Sequence, residues 1–566
     1  MERPWVKSYP QGVHVDPELA ISAIDAVLTR ARDLWPEQAA IEFMGRRISY
    51  RELDTLVGRA AKGFQSLGVK PGVHVGLYLP NCPQFPIAFF GVLRAGGTIV
   101  NYSPLDAAAT LEHKIADSRT EILVSLDLQA LYPQIAGVLD RTGIRRVILG
   151  DLAEFSAAPA GVRAHLSAAN QIAEVEPDPR HMSFAALIDN DGVATALPEI
   201  DPKTAIAVLQ YTGGTTGKPK GAILTHANLT AAMSQVEETT RITPPLLTPG
   251  DVREIVVLPM FHIYALTVAL LVGFRFGADL VLHVRFDPEA VLKDIETKRI
   301  NMLLGVPTMF IALLNHPSIK ADSLRSLALC NSGGAPLPLQ VSSAYHQMTG
   351  KWLREGWGMT ETSAIGTFTP AGRPTKLGSC GVPSPAIDMK FLSVADGKTY
   401  VPYGQRGEIC VLGPNIMEGY WNNHAATRET MTEDGYLRTG DVGWMDEEGY
   451  VFIVDRTKDM ILCAGFNVYP RNIEEAIYQH EAVEAVSVIG IPDLYRGQSP
   501  KAFIKLKPGA SPMSLEDMKA FLKDRLGKHE MISQLEIRPD LPRTLVGKLS
   551  KKELYEEEEK KRGEGR

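Results

Sequence analysis

One run of eleven residues constrains this chain more than any other. Tyr211-Thr-Gly-Gly-Thr-Thr-Gly-Lys-Pro-Lys-Gly221 places glycines, hydroxyls and two lysines together directly after an apolar stretch, Thr204 to Leu209. Glycine lets the backbone approach an anion and turn its N–H groups inward. Thr212, Thr215 and Thr216 add hydroxyl donors, and Lys218 and Lys220 add positive charge. A buried strand feeding a glycine-rich loop is the usual setting for nucleotide phosphates, and it implies an α/β fold. Pro219 follows Lys218 where a Walker A loop requires Ser or Thr for magnesium, so that motif is excluded.

The rest of the chain agrees with layered α/β architecture. Ser49-Tyr-Arg-Glu52 reads as a capping box opening an amphipathic run with Leu53, Leu56, Ala60 and Phe64 on one face. Val73 to Leu79 reads as a strand and Phe85 to Arg94 as a helix stopped by Gly96-Gly97. Strand patterns recur at Glu254 to Leu258, Asn301 to Val306 and Leu327 to Asn331. From about Cys380 short strands between glycine turns, such as Glu408 to Leu412, suggest a twisted β subdomain. Beyond Asp455 an α+β pattern restarts, with strands at Ala485 to Ile489 and Ala502 to Leu506 and a helix capped by Ser514. The expected organisation is a large domain over 1–455, a hinge at 456–458 and a small mobile domain over 459–566.

Composition narrows the function classes. At 566 residues one core is insufficient. A net charge of −7 argues against nucleic acid as the main partner. The five cysteines are scattered, with no Cys-x-x-Cys, which fits a reducing compartment and no zinc site. No apolar stretch of signal-peptide type follows Met1-Glu-Arg-Pro-Trp, so a cytoplasmic location is expected. The apolar tract Tyr264 to Phe274 is about half a membrane span and is expected to be a core helix. The charged tail Glu553 to Arg566 reads as a solvated helix.

Four further motifs follow the glycine-rich loop in order: Gly356-Trp-Gly-Met-Thr-Glu-Thr362, Tyr436-Leu-Arg-Thr-Gly-Asp441, Asp455-Arg-Thr-Lys-Asp459 and Pro542-Arg-Thr-Leu-Val-Gly-Lys548. With them the chain resembles the adenylate-forming superfamily of acyl-CoA synthetases, luciferases and peptide-synthetase adenylation domains, over roughly Leu28 to Leu554. It is most similar to bacterial medium- and long-chain fatty acid:CoA ligases, through Leu258-Pro-Met-Phe-His-Ile-Tyr-Ala-Leu and Gly465-Phe-Asn-Val-Tyr-Pro. The resemblance implies two steps. A carboxylate attacks the α-phosphate of Mg-ATP to give acyl-AMP and pyrophosphate, and the thiol of CoA then displaces AMP.

The same resemblance assigns roles residue by residue. Thr212, Gly213, Gly214, Thr215, Thr216, Gly217 and Lys218 would grip the leaving phosphates. Gly334 and Ala335 would pass beside adenine, with Gly356, Trp357, Gly358 and Met359 completing that wall and Trp357 offering an aromatic face. Thr360 would hydrogen-bond the α-phosphate and Glu361 would ligate Mg²⁺, a hard cation that prefers oxygen. Asp441 would accept the ribose hydroxyls, with Arg456 as the matching donor. Lys548 would bridge carboxylate and α-phosphate, Lys458 would be the hinge, and Ala464, Gly465 and Phe466 would border the CoA path. His262 sits where the family separates acyl pocket from CoA tunnel, although a buried, satisfied histidine is an equal reading. Tyr264, Val306 and Phe310 are the expected acyl-pocket lining.

Gly527-Lys-His-Glu-Met-Ile departs from the Tyr-Lys-x-Pro pattern of many relatives, and Asp455-Arg-Thr-Lys-Asp is one of two hinge forms in the family. The acid, ATP and CoA are the expected partners. A homodimer, a peripheral membrane contact and a lysine acyltransferase acting on Lys548 stay open. So do a dicarboxylic or aromatic acid as substrate, with Arg275, Arg373 or Lys376 as the cation for a second carboxylate, and a non-CoA adenylating enzyme. A non-catalytic binding protein on the same fold is disfavoured by the joint presence of Thr360, Glu361, Asp441, Arg456 and Lys548.

Overall fold

The computed structural model describes residues 3–195, 199–212, 218–242, 245–463, 466–493, 495–544 and 547–564. Among them two large sheets carry most of the core. The first has eight strands in the order Gly419–Tyr420, Lys220–Thr225, Ile206–Thr212, Thr98–Asn101, His74–Leu77, Ile122–Leu126, Arg146–Gly150 and His181–Ser183. It is parallel from Ile206–Thr212 outward to His181–Ser183; the two strands at the other edge run antiparallel. The second has seven strands, Arg354–Glu355, Leu329–Ser332, Met302–Gly305, Arg253–Val256, Asp279–Leu282, Ala39–Phe43 and Arg46–Ser49, all parallel except the last pair.

Strands buried on both faces read as apolar runs, as Ile122–Leu126 does. The helix Gln84–Arg94 is buried along ten of its residues because aromatic and aliphatic side chains surround its axis. Tyr50–Ser66 shows a narrower apolar face and starts where Ser49 Oγ accepts the Glu52 N–H. The Glu52 carboxylate turns instead to Arg46, so only half of the expected capping box forms. The apolar tract after His262 is helical and buried, but it opens with a wide π turn, Ala265–Leu271, before an α turn, Val272–Arg275.

A five-stranded antiparallel sheet follows, Tyr400–Val401, Asp388–Leu392, Gly407–Leu412, Leu437–Met445 and Val451–Arg456. The last sheet is built on the long pair Val483–Asp493 and Gly497–Leu506, with helices Pro470–Tyr478 and Leu515–Leu522 against it. Most hydrophobic burial divides there: one cluster runs from Trp5 to Val451 and another from Ile461 to Ile532, with a small cluster of Val442, Val454 and Tyr469 across the boundary. The chain is therefore mixed α/β with a large N-terminal and a small C-terminal part.

Candidate active site

The strand pair Ile206–Thr212 and Lys220–Thr225 brings Thr212 opposite Lys220 and Tyr211 opposite Gly221. Gly213, Gly214, Thr215, Thr216 and Gly217, between them, lie outside the described residues. The base of the loop is fixed from below, because Tyr211 donates its hydroxyl to Asp117 at 2.5 Å. Lys220 stands 4.7 Å from the ring centroid of Tyr420, and Lys218 is exposed.

Facing it is the segment Gly356 to Ala364. A 3₁₀ turn, Thr360–Thr362, is tied by Met359 N–H to Thr362 Oγ1 at 3.0 Å. Ser363 and Ala364 then adopt φ of 49° and 76°, a region that costs a non-glycine residue on the order of 1–3 kcal/mol. Gly358 lies so close to this bend that a Cβ there would fall 2.0 Å from Ala364 O. The bend is held by buried Asn415, which donates to Thr362 O and Ile365 O, both at 2.7 Å, and accepts Ser363 Oγ at its carbonyl. Glu361 is consequently buried, with Tyr420 donating to Oε1 at 2.7 Å. Burial raises its pKa, against the opposing pull of the Tyr420 hydrogen bond and of Arg456 and Lys220.

Asp441 is also buried, and both of its oxygens are occupied. Trp357 Nε1 donates to Oδ2 at 2.8 Å and Arg456 Nε stands 3.0 Å from Oδ1. The second contact follows from register, since Asp441 and Arg456 are cross-strand partners in Leu437–Met445 and Val451–Arg456. Trp357 is itself wedged over Gly366, where a Cβ would come within 2.4 Å of the ring. Gly356 is confined in the same way, 3.2 Å from Thr367 O.

Lys548 reaches this pocket from the C-terminal part. A Cβ at Gly334 would stand 2.7 Å from Lys548 Cε and 3.1 Å from Nζ. Gly547 precedes it at φ +82°, and Gly547 O accepts Thr308 Oγ1 at 2.6 Å. Burial, reinforced by the Arg456 charge and countered by Asp441, lowers the Lys548 pKa to about 8. His262 senses the same charge: burial first, then Lys548, pushes it down to about 3. Its Nδ1 accepts the Tyr264 N–H at 3.2 Å, which leaves the imidazole neutral.

Tyr264 packs on Gly333, where a Cβ would be 2.9 Å from the ring, and its hydroxyl accepts Asn331 Nδ2 at 2.8 Å. Val306 stands beside both Gly334 and Gly547. The structure thus brings His262, Tyr264, Val306, Gly334 and Lys548 together. It does not bring Phe310 with them. Phe310 covers Gly305 and meets Tyr345 edge-on at 6.2 Å. Gly305 pairs with Ser332 and Leu304 with Asn331, and adjacent rows point to opposite faces, so Phe310 lies across the sheet from Tyr264. Ala335, half-buried, follows Gly334 at the rim.

The residues expected to form the hinge and the CoA path lie further along the chain. Thr457 N–H bonds Gly440 O at 2.8 Å and Asp459 N–H bonds Arg456 O at 3.0 Å, which frames Lys458 in a turn. Burial and then Arg456 lower the Lys458 pKa to about 8. Ala464 and Gly465 lie outside the described residues. Phe466 is 56% exposed, with its ring 5.0 Å from His529. The three cations considered for a second carboxylate are all engaged elsewhere: Arg275 with Glu237, Arg373 with the carbonyls of Lys7 and Tyr9, and Lys376 with Asp446 and Glu448.

Sequence reasoning missed Tyr420 and Asn415. Their signal was Pro414-Asn-Ile-Met-Glu-Gly-Tyr-Trp421, a segment whose Gly419–Tyr420 pairs with Lys220–Thr225 and so joins the two loops.

Residues 28–421 match the AMP-binding enzyme family and residues 472–548 match the AMP-binding enzyme C-terminal domain, and the chain belongs to that family. Within it the protein is an AMP-forming acyl-CoA synthetase. It is 35% identical to a long-chain-fatty-acid–CoA ligase of Bacillus subtilis (strain 168), with 98% of each chain covered. It is 34% identical to a feruloyl-CoA synthase of Amycolatopsis sp, covering 93% of this chain and 96% of that one. The crystal structure of ATP-bound MatB from Rhodopseudomonas palustris matches with a TM-score of 0.82 at 28% identity, over 95% of this chain and 99% of that one. Among the described residues no helix is long and apolar enough to cross a membrane.

Proposed function

We propose that the enzyme activates a medium- or long-chain carboxylic acid as acyl-AMP, releasing pyrophosphate, and then transfers the acyl group to CoA, releasing AMP. The observation that carries the first step is the seat of Lys548 against Gly334, beside the Asp441–Arg456 pair. There a cation can bridge the attacking carboxylate and the α-phosphate, where negative charge accumulates. Thr360 and the 211–221 loop donate to the same phosphates, and Asp441 takes the ribose hydroxyls with Trp357 fixing its orientation. His262, neutral, serves as a wall between acid and thiol rather than as a proton carrier.

Magnesium fits as a cation that arrives on the nucleotide. Mg²⁺ is commonly bound by one or two carboxylates plus substrate phosphates. Glu361 supplies one buried carboxylate, and no group of three or more His, Cys, Asp and Glu side chains able to hold a metal occurs among the described residues. When bound, the ion would neutralise phosphate charge.

For the second step, residues 459–566 would rotate about the hinge 456–458, with Lys458 as pivot, withdrawing Lys548 and bringing Ala464, Gly465 and Phe466 to the thiol path. Support for a second seat comes from the exposed apolar side chains of Leu462 and Phe466. A lysine acyltransferase that modified Lys548 would remove the charge the first step needs. Mass spectrometry finding only unmodified Lys548 in protein from cells would exclude that regulation.

The chain-length assignment rests on the Bacillus subtilis relative; an aromatic acid is the second reading, favoured by the feruloyl-CoA synthase relative. CoA-dependent AMP release over monocarboxylic, dicarboxylic and aromatic acids of graded length tests both. Turnover confined to aromatic acids would overturn the first reading, and acid-dependent pyrophosphate exchange without CoA-dependent AMP release would overturn both.

A further inference from the structure

The most conspicuous unused group in the molecule is Glu254. It is completely buried in the central strand Arg253–Val256, and neither carboxyl oxygen has a hydrogen-bond partner among the described residues. A carboxyl taken out of water without a partner is strongly unfavourable, so its presence in an otherwise apolar strand requires a reason.

Its place in the sheet supplies one. Glu254, Met302 and Leu329 share one row across three parallel strands, and Leu304 and Asn331 follow two residues on, so all five side chains face the same side. Asn331 is the residue whose Nδ2 meets Tyr264 beside His262. The face therefore runs inward from the acyl side of the active site, past half-buried Asn331 and Leu329, to Glu254. Its cover is the helix that starts just after Tyr264, and Gly273 near that helix's end would place a Cβ 3.7 Å from Glu254 Oε2.

The cover is also irregular. The π turn Ala265–Leu271 is wider than an α turn, and such turns occur frequently at functional sites. Thr267, within it, has a buried hydroxyl with no partner among the described residues, although threonine in a regular helix commonly bonds a carbonyl one turn back. Two unpartnered polar side chains thus belong to the two elements that sandwich one apolar layer.

We infer that Glu254 is a specificity-determining residue at the inner end of the acyl site, where it hydrogen-bonds a hydroxyl carried on the acid far from its carboxyl group. Burial drives its pKa well above the ordinary carboxylate range, which favours the protonated carboxyl, and that form can both donate to and accept from a hydroxyl. A purely alkyl chain would leave it unpaired, whereas a hydroxylated acid of matching length would satisfy it. This selection rests on the acid:CoA ligase reading above.

The test uses full-length protein and pairs of acids matched in length, one plain and one hydroxylated at the distal end, in an aliphatic and a phenolic arm. The readout is the ratio of kcat/KM, hydroxylated over plain, for CoA-dependent AMP release. For the wild type the ratio should exceed one at a single length, in whichever arm fits. Glu254→Leu should lower that ratio by about tenfold or more, because an unmet hydrogen bond is what rejects the wrong acid. Glu254→Gln, which still donates and accepts, should hold it within about threefold. Glu254→Leu should also raise the melting temperature, since it removes an unpaired buried carboxyl. A ratio unchanged by Glu254→Leu at every length and in both arms overturns the inference, and so does a lowered melting temperature, which would mean that the fold itself uses the carboxyl. Wild-type protein that ligates no acid in the panel overturns the ligase reading, and this inference with it.

Discussion

The two halves of the reaction centre are built in opposite ways. On the nucleotide side polar groups are held by other side chains: Asp441 by Trp357 and Arg456, Glu361 by Tyr420, and the strained Ser363–Ala364 bend by Asn415. Among the described residues, the segment that carries Lys548 docks through the hydrogen bond from Thr308 to Gly547 O and through close packing against Gly334 and Val306. A rigid shelf suits a ligand that must be gripped identically in every turnover. A lightly held lysine suits the proposed departure of Lys548 after the first step. The contrast predicts that damage to the shelf acts on nucleotide affinity, whereas damage to the dock acts on the first half-reaction alone.

Removing the lysine is the strongest test. Lys548→Ala should reduce acyl-AMP formation by about 10²-fold or more, the order associated with losing one group that stabilises transition-state charge. Thioester formation from supplied acyl-AMP should be nearly unchanged. Equal loss of both half-reactions, measured separately, would place Lys548 in the shelf rather than the dock.

Gly334→Ala should come next. The new Cβ would meet the end of the Lys548 side chain, which can move, so the fold should survive; φ at this position is +75°, which adds about 1–2 kcal/mol of strain. Displacing Nζ by about 1 Å should cost adenylation up to about 10²-fold. The second half-reaction should again be spared. A variant with normal adenylation would show that Nζ need not stand where Gly334 admits it.

The acid–base state of the dock can be read without mutation. Lys548 titrates near pH 8 because burial and Arg456 disfavour its charge. Its useful form is the protonated one, so adenylation should be high below pH 8 and fall by about tenfold per unit above it. The second half-reaction should lack that limb. A profile flat to pH 10 would mean that bound substrate restores an ordinary lysine pKa.

Much of the shelf was legible in the sequence, and the reasons are local. Gly358 must be glycine because the Ala364 carbonyl occupies its Cβ position, and Asp441 and Arg456 meet because two strands pair in register. Spacing preserves such constraints. Tyr420 and Asn415 act at Glu361 and its bend from more than fifty positions away, so the segment Pro414 to Trp421 that carries them shows no link to Glu361 until the chain is folded. Phe310 shows the converse limit. It shares an apolar segment with Val306, yet the pleat at Gly305 puts it on the far face with Tyr345. Glu254 was read simply as the start of a strand, because periodicity does not reveal whether a buried carboxyl finds a partner.

On the shelf itself, Tyr420→Phe removes the hydroxyl that holds Glu361 Oε1 and leaves the ring under Lys220. A hydrogen bond to a charged group is worth about 1.5–3 kcal/mol, so the KM for Mg-ATP should rise by about tenfold while kcat changes less. A pure kcat effect would instead assign Tyr420 to the transition state.

The smallest effect should come from Thr308→Ala. The side chain is half-buried and its hydroxyl makes one neutral hydrogen bond, to Gly547 O, worth about 1 kcal/mol. Losing it should slow adenylation by about threefold to tenfold through a lower population of the docked state. It should leave the KM for Mg-ATP unchanged, because the Thr308 hydroxyl bonds Gly547 rather than a shelf residue. If release of the C-terminal segment limits turnover, the same substitution should accelerate the second half-reaction, since it weakens a contact that the proposed rotation would break. Opposite signs in the two half-reactions, from one hydroxyl bonded to Gly547 rather than to Lys548 itself, would separate a docking contact from a structural one. A uniform loss in both, with a lowered melting temperature, would show that Thr308 serves the fold.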